Sequence, residues 1–405
     1  MGTFPGPRTR LWSWAFYDFA NTIFSATVIT FYFPLYLTSL TGTNRSLGMA
    51  TTASMIFAGL LTPLAGAQSD QTGKTKAYLM RSTFLCVVFC ALLFFTRPVG
   101  WLMLYYACAC IFFHVSLVFY NALLPVAAPE GKQGFASGLG VGLGYFGVVS
   151  TLPFMNWADH TLGRPSVFLL AAVLFSLSSL PLFLFLPERT VENPQPVTLR
   201  NFWDPWKQLA RTVRGLPANP KVLLFLAGNF FVVDAVNSTI SWVSVYLREV
   251  FHLGQGKMVS VMMILNVCAF FGGVISGFLT DKLGAMKTFL ASTVALAFML
   301  IMMTQPIPLR IFSVLIYTCG AFAVSGVWAA GRKALVDMVP SQKIGEYFGL
   351  YGLTTKVSVI ASLLYSLASD AIGMQKAMWV LVFPAAVGFF FLLWSTRMAP
   401  MKADS

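Results

Sequence analysis

Long, unbroken apolar runs alternate with short polar clusters from one end of the chain to the other. A helix that crosses a bilayer needs about 20 mostly apolar residues. Twelve runs approach or exceed that length, at 12–40, 47–69, 77–96, 99–124, 134–158, 166–187, 222–247, 258–280, 288–305, 309–331, 346–369 and 377–396. Because they are continuously apolar, they predict helices and not the alternating strands of a barrel. The longest polar interval, 188–221, carries Pro194, Pro196, Pro205, Pro217 and Pro220 and divides the runs six and six. The pattern predicts an all-α membrane protein with an N-terminal bundle at 1–187, a linker at 188–221 and a C-terminal bundle at 222–405. Within the linker, Trp203, Trp206, Leu209 and Val213 alternate with Lys207, Arg211 and Arg214 at helical spacing. That stretch suits either an amphipathic helix on the membrane surface or a solvated connection.

Composition agrees and narrows the class. Of the 405 residues, 57% are hydrophobic and 10% charged, against roughly 25% charged in soluble domains. A water-soluble enzyme, a disordered chain and a disulfide-rich secreted module are excluded. The six cysteines lie inside apolar runs, and Cys108-x-Cys110 has the wrong spacing for a metal site. No disulfide, metal or cofactor is expected. The first run follows Pro5, Pro7, Arg8 and Arg10, outlasts a signal-peptide core and lacks a small-residue cleavage site, so it should remain as the first span.

The net charge of +13 is a topological signal. If successive runs cross the bilayer, 19 of the 27 basic residues fall on the side of the N-terminus and seven on the other, with Lys356 inside a run. The positive-inside rule then predicts both termini in the cytoplasm, and the compact loops and lack of a visible targeting segment favour an inner (plasma) membrane. The basic surplus does not call for nucleic acid.

The halves repeat in register. Gly66-x-x-x-Asp70-x-x-Gly73-x-x-Lys76 recurs as Gly277-x-x-x-Asp281-x-x-Gly284-x-x-Lys287, displaced by 211 positions. The same displacement carries Pro129 to Pro340, Gly134 to Gly345, Gly138 to Gly349 and Leu139 to Leu350. Two parallel six-span repeats suit a carrier that rocks around a midplane site. The Gly-x-x-x-Asp-x-x-Gly loop, which contains Lys74 in its first copy, resembles the signature of the major facilitator superfamily. The resemblance implies twelve helices in two pseudo-symmetric bundles. It also implies that the loop latches the cytoplasmic side, with Asp70 meeting the start of span 11 and Asp281 the start of span 5.

A narrower likeness is carried by Trp14-Ala-Phe-Tyr-Asp-Phe-Ala-Asn21, Tyr120-Asn-Ala-Leu-Leu-Pro125, Asp234-Ala-Val-Asn237 and Phe348-Gly-Leu-Tyr-Gly-Leu-Thr-Thr-Lys356. Together they resemble the facilitator subfamily that includes the autophagy-related vacuolar amino-acid effluxers. Two positions depart from that pattern: Val126 stands where an acidic residue is expected, and Thr355 precedes Lys356 where glycine is usual. Gly140-x-x-x-Gly144 is followed by Tyr145, so the Gly-x-x-x-Gly-Pro motif of facilitator antiporters is absent, as is any Gly-Lys-Ser/Thr phosphate loop.

An ionisable group inside a span costs at least about 2.5 kcal/mol at the helix centre and is functional by default. Asp18, Asp234, Lys356 and His114 are the candidates. Asp18-x-x-Asn21 and Asp234-x-x-Asn237 place a carboxylate and an amide nearly one turn apart, so that each pair could line a cavity. Asp234 lies ~18 Å along its helix from Lys221, at 1.5 Å per residue, whereas Asp18 lies nearer its helix start. The two pairs are therefore read as separate sites. Tyr17 and Tyr36 complete the candidate set for a substrate or a proton. The expected function is secondary active transport of an amino acid or similar zwitterion, coupled to protons, by a monomer that needs only its solute and the bilayer. Export of an amphipathic drug-, lipid- or siderophore-like compound and a non-transporting receptor or scaffold are the alternatives. No nucleophile–base pair supports an enzyme.

Overall fold

The computed structural model describes residues 5–42, 45–191, 194–195, 204–357 and 360–399, with the side chains of 255, 256, 259, 356, 357 and 360 outside that description. Among the described residues the chain is helical, with no strand. The helices are α1 Pro7–Thr41, α2 Arg45–Thr72, α3 Thr75–Phe95, α4 Val99–Ala122, α5 Gln133–Leu162, α6 Pro165–Phe185, α7 Asp204–Gly215, α8 Pro220–Phe251, α9 Gln255–Leu283, α10 Ala285–Met303, α11 Leu309–Met338, α12 Ile344–Val357, α13 Ile360–Ile372 and α14 Met374–Arg397. Eleven helices among the described residues are long and apolar enough to cross a membrane. The run at 346–369 corresponds to α12 and α13, which flank 358–359, two residues outside the description. The described helices thus follow the order of the twelve apolar runs.

The sequence explains several local features. Gly73 and Gly284 end α2 and α9 with φ of +67° and +98°, a conformation that side-chain-bearing residues avoid. Pro63, Pro153, Pro181 and Pro384 sit inside helices, as spanning helices allow when neighbours satisfy the freed backbone. Helix α1 widens into a π-helical stretch at Ser25–Tyr32, and α11 does so at Ile316–Gly320. The amphipathic part of the linker from 204 onward is a helix, α7, and Trp203 lies outside the described residues.

Two compact units emerge from the packing. The first comprises Met1–Glu130, Leu143–Arg211 and Ser341–Leu353, and the second Gly131–Gly142, Thr212–Pro340 and Thr354–Ser405. In the first, α1 packs on α6, α2 on α4, and α3 on both α4 and α6. The second repeats those pairings with α8 on α14, α9 on α11, and α10 on both α11 and α14. The core of the first unit is aromatic. Trp14 stacks on Tyr120 at 4.3 Å and donates its indole N–H to the Tyr120 carbonyl at 2.9 Å. Tyr17 stacks on the other side of the same cluster, 5.0 Å from Tyr120. Two of the sequence segments that carry the narrower resemblance thus pack against each other.

Candidate functional site

The repeated loop builds the same device in each unit. In the first, the Asp70 carboxylate accepts the N–H of Gly345 at 3.0 Å and of Glu346 at 2.8 Å. In the second, Asp281 accepts the N–H of Gly134 and of Phe135, both at 2.7 Å. Each pair of amides opens a helix, α12 or α5, where unpaired N–H groups and the helix dipole favour an anion. Aspartates and amides in the two clasps are displaced by the same 211 positions. Glycine makes the approach possible. A Cβ on Gly66 would overlap the backbone carbonyl of Gly345, and one on Gly277 would lie 2.7 Å from that of Gly134.

The clasps differ in their surroundings. Asp70 is also ion-paired with Arg189 at 2.6 Å, with both side chains buried. The Arg189 guanidinium donates further to the Ser341 carbonyl. The neighbouring Glu188 caps α3, accepting the N–H groups of Lys76 at 2.6 Å and Ala77 at 3.1 Å, while the Lys76 ammonium donates to the Leu186 carbonyl at 2.7 Å. On α7, Gln208 accepts from Gln71 at 2.8 Å and donates to Glu346 at 2.9 Å. Around Asp281 the charges are Lys333 and Asp337, paired with each other one turn apart on α11. Removing one partner of a buried pair costs about 3–5 kcal/mol, and Asp70 would keep its two amides. Arg189→Ala is therefore expected to lower thermal stability in detergent clearly, toward the low end of that range, with Arg189→Lys recovering part of the loss. An unchanged melting temperature would show that the pair contributes nothing.

The remaining sequence candidates are placed as follows. Asn21 donates to the Asp18 carboxylate at 3.3 Å, and both are buried beside Gly144, where a Cβ would strike Thr22. Tyr17 is fully buried and shares a 2.5 Å hydrogen bond with Thr83. Tyr36 is buried against Phe168, ring centres 5.7 Å apart. His114 is half-buried, edge-on to Phe113. Asp234 is buried and accepts the Ala361 N–H, second residue of α13, at 3.1 and 3.3 Å. Asn237, on the same helix, lines a cavity instead. Lys74 and Lys287 are exposed beside their clasps. The Lys356 side chain lies outside the described residues.

The structure thus joins Asp18 to Asn21 and each loop aspartate to its helix start. It gives Asp234 and Asn237 different surroundings, a backbone amide for the first and a cavity for the second. Sequence reading missed Arg189, Glu188 and Gln208, although a Glu-Arg pair directly after an apolar run was a visible signal. It also missed the serines of α13, spaced at 362, 366 and 369 along one helix face.

These features define a polytopic helical carrier built from two like halves. Residues 19–358 match the model of the Major Facilitator Superfamily, and the chain belongs to that family. It is 25% identical to the uncharacterised MFS-type transporter YxiO of Bacillus subtilis, over 94% of this chain and 93% of that one. An uncharacterised protein of Aquifex aeolicus is 27% identical, over 87% of each chain. The multidrug resistance protein MdtG of Citrobacter koseri is 25% identical over 67% of each. Among solved structures, the fold is similar to that of FucP in its outward conformation, with a TM-score of 0.76, 15% identity and coverage of 97% of this chain and 99% of that one. The human organic anion transporter MFSD10 gives a TM-score of 0.74 at 13% identity, covering 96% of this chain and all of that one.

Proposed function

We propose that this protein is a secondary active transporter that moves a small polar solute by alternating access, its two aspartate clasps closing in one state and opening in the other. The observation that carries this reading is the pair of clasps, each tying a loop of one sequence repeat to a helix start of the other. Hydrogen bonds donated to a charged acceptor contribute about 1.5–3 kcal/mol each, enough to hold a state yet small enough to be exchanged. The one-sided basic surplus supports both termini in the cytoplasm, the compact loops support a plasma-membrane carrier, and the presence of both repeats in one chain supports a working monomer.

Coupling to protons follows from Asp234. Ionised, its carboxylate holds the start of α13 through Ala361; protonated, it loses the charge that strengthens that bond, and its hold on α13 weakens. The first-span likeness to amino-acid effluxers supports a zwitterionic cargo, and the similarity to MdtG supports an amphipathic one. Flux into proteoliposomes, measured with and without a pH gradient across a solute panel, is the test. Gradient-driven accumulation of a small polar solute is expected; the absence of flux for every solute, with binding retained, would mark a receptor.

A further inference from the structure

The second unit contains a groove that the clasps and the Asp18 pair do not use. Between α8 and α13 lies a cavity of about 370 Å³ lined by Asn237, Ser238, Ser241, Trp242, Ser362, Leu363 and Ser366. Trp242 and Ser366 also line an adjoining cavity of about 640 Å³, which reaches Glu249, Asp370 and Lys376. Its size falls within the range of small-molecule sites.

The lining is built and held in place. The Trp242 indole N–H donates to the Ser362 hydroxyl at 2.9 Å, which fixes the ring. One residue before Ser362, the Ala361 amide is bound to Asp234. Ser241 follows the usual habit of a helical serine and donates to the Asn237 carbonyl one turn back, at 2.8 Å. Ser238 does not. It is 1% exposed, lines the cavity, and its hydroxyl has no partner among the described residues. A buried hydroxyl left unsatisfied is destabilising, so its position among hydrogen-bonding groups points to a ligand that satisfies it.

We infer that this groove holds the cargo and that the cargo is a neutral polyhydroxylated compound, a monosaccharide or polyol. The inference rests on the transport reading for the groove's occupant being cargo, and on the groove alone for its chemistry. Four serine hydroxyls and an amide can each donate and accept, which matches a ring or chain of hydroxyls. The indole offers a flat apolar wall for the C–H face of such a molecule. A zwitterion would demand fixed charges at its own position; the described lining of the 370 Å³ cavity carries none, and Glu249, Asp370 and Lys376 line only the adjoining cavity beyond Trp242 and Ser366.

The experiment is calorimetric titration of the full-length purified protein with glucose, fucose and myo-inositol, and with glycine and alanine as zwitterions. At least one polyol should bind. Ser238→Ala and Ser362→Ala should each weaken it about tenfold, the size expected for one lost hydrogen bond of about 1.4 kcal/mol. The apo melting temperature of Ser238→Ala should not fall, because an unsatisfied hydroxyl is removed, so weakened binding cannot be assigned to misfolding. Absence of binding by all three polyols, equal affinity in wild type and Ser238→Ala, or zwitterion binding that depends on Ser238 overturns the inference. Flux in proteoliposomes separates the two readings. Polyol binding that needs Ser238 without any flux keeps the groove's chemistry and removes transport. Flux of a zwitterion with Ser238-independent binding keeps transport and removes the groove.

Discussion

Gly66→Ala is expected to reduce transport more than tenfold while leaving the protein in the membrane. The added Cβ would meet the carbonyl oxygen and carbon of Gly345, backbone atoms that cannot rotate away as a side chain would. Overpacking of this kind costs about 1–3 kcal/mol, comparable to one charged hydrogen bond of the clasp. The alanine therefore does not unfold the bundle; it removes the state in which Asp70 holds the start of α12. Gly277→Ala should impair the second clasp in the same way, since its Cβ would crowd Gly134, Phe135 and Gly138. Solute exchange in proteoliposomes, normalised to the amount reconstituted, measures both. Rates within twofold of wild type for both variants would show that the close glycine contacts are not needed for cycling.

Asp234→Asn should abolish accumulation driven by a pH gradient and preserve solute exchange at equal concentration. Asparagine keeps the shape and can still accept the Ala361 N–H through its amide oxygen, as the carboxylate does at 3.1 Å. It cannot lose or gain a proton at working pH. The carrier is then fixed in the neutral state, and the gradient has nothing to act on. Asp18→Asn provides the contrast, because the Asp18 carboxylate is tied to Asn21 on its own helix and does not hold α13. Full gradient-driven uptake by Asp234→Asn would remove this residue from coupling.

The spans and the repeat were legible because both are carried by patterns that lipid imposes. A run of apolar residues and a displacement of 211 positions need no knowledge of tertiary contacts. Which helix starts the loop aspartates reach was implied by the likeness to the facilitator signature, and glycine at 134 and 345 admits the close neighbour. Asp234 was legible as unusual but not in its task, because its partner is a backbone amide, Ala361, which no residue type announces. Arg189 lies outside any span, and its role follows only from the chain returning after α6 to the Asp70 loop. The groove escaped notice because serine is common in helices. Only the contrast between Ser241, bonded to its own helix, and Ser238, which is not, marks the site.

Alternating access through the clasps requires that the Asp70 clasp be made and broken during the cycle. The most direct measurement is the distance between spin labels at Lys74 and Gln342, exposed positions flanking the two sides of the clasp, in a cysteine-substituted background reconstituted in lipid. Two distance populations are expected, their ratio shifting with transported solute and pH, with Gly66→Ala emptying the shorter one. A single distance, unchanged by solute, pH or that substitution, would contradict it.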